Sequence, residues 1–102
     1  MRWVEHGAVQ DNVLVIVEND DNIVSVLGRV LRLPFWALLT DPSDSVVEIL
    51  KTLKEKSGGA KVIYVDASLV YRECPDASYY GGLELVKHIR LTPSLEPLSL
   101  LP

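Results

Sequence analysis

Two short apolar runs, each closed by acids, constrain this chain more than any other feature. Val13-Leu14-Val15-Ile16-Val17 leads into Glu18-Asn19-Asp20-Asp21, and Lys61-Val62-Ile63-Tyr64-Val65 leads into Asp66. Runs rich in β-branched residues, without polar alternation, read as strands buried on both faces of a parallel sheet. A helical crossover between them makes such strands parallel. Their carboxyl ends then share one edge, where open α/β sheets bind ligands. Neighbouring strands lie about 4.8 Å apart. Acids from both are therefore expected to converge on one small site, and converging carboxylates suit a hard cation.

The rest of the pattern fills in an α/β chain. Ile23, Val26, Leu27, Val30 and Leu31 repeat at helical spacing, with Asp21 or Asn22 as cap and Pro34 as stop. Phe35-Trp36-Ala37-Leu38-Leu39 reads as a second strand. Asp41-Pro42, and Ser45 with Glu48 as a capping box, precede a helix whose apolar face is Val46, Ile49, Leu50 and Leu53. Gly58-Gly59 ends it. A third strand spans 61–66, followed by a long polar loop from Ala67 to Gly81 that carries Tyr79 and Tyr80. Gly82 opens a third helix with Leu83, Val86 and Ile89 inward, and 98–101 reads as a stub of strand. The βαβαβα order predicts a three-layer parallel sheet with strand order 2-1-3, built from 13–18, 35–39 and 61–66. Residues 1–12 read as an N-terminal arm and 13–102 as one domain.

Composition removes several classes. At 102 residues the chain makes one domain, and 48% hydrophobic content is too high for disorder. A net charge of −4 without a basic cluster argues against nucleic acid. The longest apolar stretch falls far short of the ~20 residues that cross a bilayer, so no membrane partner is expected. One cysteine, Cys74, cannot form an internal disulfide, which fits a reducing, cytoplasmic setting. It lies in a polar loop with no partner suggested, a poor setting for a nucleophile. No glycine-rich turn follows either acid-tipped strand, so nucleotide or flavin binding of the usual kind is not expected.

The stretches Val13–Ile23 (VLVIVENDDNI), Val62–Asp66 (VIYVD) and Gly82–Arg90 (GLELVKHIR) together resemble the receiver domain of two-component response regulators. The resemblance covers about 13–102. It implies a flavodoxin-like sheet and an acidic pocket for Mg²⁺. It also implies a phosphoacceptor aspartate, here Asp66, served by a sensor histidine kinase or another signalling protein. The family's acid pair falls on Glu18 and Asn19, with Asp20 as a further candidate ligand. The residue that lends the metal a backbone carbonyl falls on Ser68. Three departures accompany the likeness. Asn19 stands where the family has an aspartate. The 66–82 connection is longer than usual and lacks the family's Met-Pro element. The sequence given stops about where the family's fourth strand begins, before its hydroxyl and lysine positions. The module is therefore expected to be a phosphorylated receiver or a pseudo-receiver, a phosphoacceptor at most and not an enzyme in its own right. The alternative is an interaction or dimerisation module of flavodoxin-like shape without phosphoryl chemistry. Three strands and three helices leave apolar sheet surface and an edge uncovered, so self-association is also expected.

Overall fold

A computed structural model describes residues 1–10, 14–58, 60–92 and 99–101, the last three by backbone alone. Val13 at the start of the expected first strand, Gly59 at the expected helix end, and the proline-bearing stretch 93–98 lie outside the described residues. The apolar run at Leu14–Glu18 forms a strand buried at every position, β2, as an unbroken apolar segment requires. It is flanked on both sides. β1 is Arg2–His6, β3 Phe35–Leu39, β4 Val62–Val65 and β5 Ser99–Leu101, in the sheet order β1-β3-β2-β4-β5. β2 runs parallel to β3 and β4, with Val15 opposite Trp36 and Val17 opposite Val65. The three expected strands thus take the expected 2-1-3 order.

The sheet is mixed rather than all-parallel. Arg2–His6, expected to belong to an arm, pairs antiparallel with β3 from Arg2↔Leu39 to His6↔Phe35. Its alternation explains this: Trp3 packs into the core on one sheet face and Val4 into the core on the other. Gly7 turns the chain at the strand's end with φ +71, a conformation that favours glycine. The His6 ring stacks on Phe35 at 5.0 Å, and it fits there because Gly28 has no side chain to occupy the same space.

The helices divide between the faces. α1 is Asp21–Val30, α2 Val46–Ser57 and α3 Gly81–Arg90. Val24 of α1 packs over Leu14, Ile16, Phe35, Ala37 and Leu39. Ile49 and Leu53 of α2, with Leu85 and Ile89 of α3, pack over Val15, Val17, Leu38, Ile63 and Val65 on the other face. The α2 face is the expected one, and its box closes as Ser45 accepts from the Glu48 amide at 3.2 Å while its hydroxyl donates to Glu48 at 3.1 Å. The α1 face is not. Asp20, rather than Asp21 or Asn22, caps α1 by accepting from the Asn22 amide. Val24, Leu27 and Leu31 face the sheet, while Ile23, Val26 and Val30 are exposed. On α3 the inward set is Leu85, Val86 and Ile89, and Leu83 is exposed. Trp36 is half-buried at the corner it forms with Trp3. It meets Trp3 edge-on at 6.2 Å and lies under the Lys56 ammonium, 4.1 Å from the ring centre. Among the described residues no helix is long and apolar enough to cross a membrane.

Candidate functional site

The register of β2 and β4 brings the two acid-tipped ends together. Val17 and Val65 are partners, so Glu18 and Asp66 lie side by side at the carboxyl edge. The Asp66 amide donates to the Val17 carbonyl at 3.0 Å, carrying the ladder one residue beyond β4. Glu18 is 4% exposed, yet its Oε1 accepts from the amides of Asn19 at 3.0 Å and Asp20 at 3.2 Å. Burial pushes its carboxyl up to about 7. The neighbouring Asp66 adds charge repulsion and a hydrogen bond, and the Asn19 and Asp20 amides pull the other way. Two carboxylates therefore share one partly buried place.

The other candidate ligands line the same cleft, and Asn19 and Asp20 each have one side-chain oxygen already engaged. Asn19 Oδ1 accepts from the Val70 amide at 3.4 Å, tying the end of β2 to the loop after β4. Asp20 Oδ1 accepts from the Asn22 amide at 2.9 Å, which is the cap of α1. The Ser68 amide donates to Asp66 Oδ1 at 3.3 Å, an Asx-type turn that orients the carboxylate. These residues, with Ile23, Tyr64, Val70 and Ala77, line an open cleft of ≈ 290 Å³. Among the described residues no three His, Cys, Asp or Glu side chains gather as a metal-binding group. Glu18 and Asp66, side by side, are thus the carboxylates the cleft could offer a cation, which fits the one or two protein carboxylates Mg²⁺ commonly takes.

The long polar loop from Ala67 to Gly81 is built into the molecule by specific contacts. Tyr71 is buried, and its hydroxyl donates to the Gly81 carbonyl at 2.8 Å. Tyr71 and Cys74 form a small antiparallel bridge. The Thr40 hydroxyl donates to the Val70 carbonyl at 2.9 Å, and the Arg72 amide to the Asp44 carbonyl at 2.7 Å. Thr40 was not singled out from the sequence, although its place one residue past β3 puts it on the same edge. A short 3₁₀ turn at Ala77–Tyr79, capped by Asp76, leads into α3. Tyr79 and Tyr80 are both more than half exposed. Gly81 and Gly82 begin α3 flush against the loop. A Cβ on Gly82 would collide with the Asp66 carbonyl, and one on Gly81 with the Leu69 carbonyl. No protein-family model matches the chain, and neither a curated protein nor a solved structure matches it significantly.

Proposed function

We propose that this chain is a receiver-type signalling module in which Asp66 accepts a phosphoryl group beside a bound divalent cation. The observation that carries the reading is the Glu18–Asp66 pair at the carboxyl edge of two adjacent parallel strands. Glu18, Asp66 and the Ser68 carbonyl would hold Mg²⁺, with water completing the shell. When bound, the cation offsets charge on the incoming phosphoryl group. The Ser68 amide orients the Asp66 carboxylate, one oxygen of which would attack. That oxygen forms a bond to phosphorus as the donor's bond to phosphorus breaks, and the electron pair departs with the donor. A sensor histidine kinase, or another signalling protein, would supply the group. One observation favours a second reading, a pseudo-receiver that works by protein contact alone. Asn19 brings no charge, and the Asn19 and Asp20 side chains are both engaged elsewhere.

Incubation with Mg²⁺ and acetyl phosphate, read by intact mass, decides between them. The phosphoacceptor reading expects a gain of one phosphoryl group that disappears in Asp66→Ala. No gain, on a chain that still binds Mn²⁺ or not, overturns phosphoryl transfer and leaves the contact-only module.

A further inference from the structure

Among the described residues one groove has a wall and a floor and no cover. Among the described residues α1 is the only helix on its sheet face, and its buried contacts run to β2 and β3. On the β4 side, Val62 and Tyr64 stay partly exposed. α1 presents Ile23, Val26 and Val30 in a single line, 43%, 43% and 67% exposed. Ile23 and Tyr64 both line the acid cleft, so wall and floor meet at that end.

The groove is also polar along its length. Asp20 and Asp66 mark one end. Arg29, in the last turn of α1, and Lys61, just before β4, mark the other. Both cations are exposed, and neither makes an ion pair among the described residues. We propose that this groove is the contact surface of a symmetric dimer. A second copy turned end over end lays its Ile23–Val26–Val30 ridge into the trough beside the first copy's α1. Its Lys61 and Arg29 then meet the acid end, and the same contact repeats at the other end, as a two-fold axis requires. This charge match selects the occupant. The groove needs a partner that is apolar in the middle, basic at one end and acidic at the other, and the groove itself has that composition. With five apolar side chains per copy the contact is small, so the dimer is weak and concentration-dependent. Its paired ends make it salt-sensitive.

Sedimentation velocity over a concentration series, at low and high salt, tests this without reference to phosphorylation. The wild-type chain is expected to move from monomer toward dimer as concentration rises, less so at high salt. Val26→Glu should raise the dissociation constant at least about tenfold, because it places a charge in the apolar middle of the contact. Lys61→Glu should weaken the dimer and flatten its salt dependence. Val47→Glu, on the exposed side of α2, should leave it unchanged. All three positions are exposed, and circular dichroism checks that the variants remain folded. A chain that stays monomeric throughout overturns the proposal and leaves the groove to a segment of another protein. A dimer indifferent to Val26→Glu or Lys61→Glu overturns it equally.

Discussion

Burial lets the Glu18 carboxyl keep its proton up to about pH 7, against an ordinary 4.5. Between those values the folded chain binds more protons than the unfolded one, so its stability falls as pH rises. The contribution is fully present below about pH 4.5 and is lost as pH passes through 7. In cation-free buffer, Glu18→Gln should therefore gain on wild type steadily across that window in denaturant titrations; parallel curves would refute the assignment. Gly82 offers a second test at this scale. Its missing side chain lets α3 start against the Asp66 carbonyl, so Gly82→Ala should cost about 2 kcal/mol or more, the magnitude of overpacking. The acids of the cleft were legible as residues because strand parity and a crossover are enough to place Glu18 and Asp66 on one rim. Their side-chain engagements were not. Whether Asn19 bonds Val70 or faces a cation depends on a loop 51 residues away, about which local pattern says nothing.

Elements were readable where a period and a cap agreed. α2 has both, and Ser45→Ala should cost about 1 kcal/mol by removing the hydroxyl that accepts from the Glu48 amide. α1 has apolar residues at five of eleven positions from Asp21 to Leu31 beyond Val24, enough to permit two phases. Packing on the sheet chose the one led by Val24, and Gly28 then received His6. The Arg2–His6 strand was hidden by length, since five mixed residues carry little periodic signal until β3 supplies a partner. The 66–81 connection misled through polarity. Its order comes from individual hydrogen bonds, of which Tyr71 to Gly81 is the most enclosed, and burial holds that hydroxyl well above its usual titration range. Tyr71→Phe should cost about 1 kcal/mol by removing this buried hydrogen bond to the Gly81 carbonyl. Limited proteolysis should then cut the connection faster than in wild type.

At the scale of the whole molecule the two sheet faces are unequal. α2 and α3 close one side over a large core, while among the described residues α1 alone covers the other. Binding at the acid cleft should raise the melting temperature as Mg²⁺ concentration rises, by mass action on the folded state. Differential scanning fluorimetry on wild type and Asp66→Ala checks this, with the increment expected only in wild type. The Trp3–Trp36 corner has a consequence for such measurements. The chain's two tryptophans sit together at the β1 margin, on the α2 side, with an ammonium over one ring. Their emission will report the detachment of the first strand, and an observer following that signal alone would record the fraying of one hem of the sheet and stay blind to what happens at its carboxyl rim.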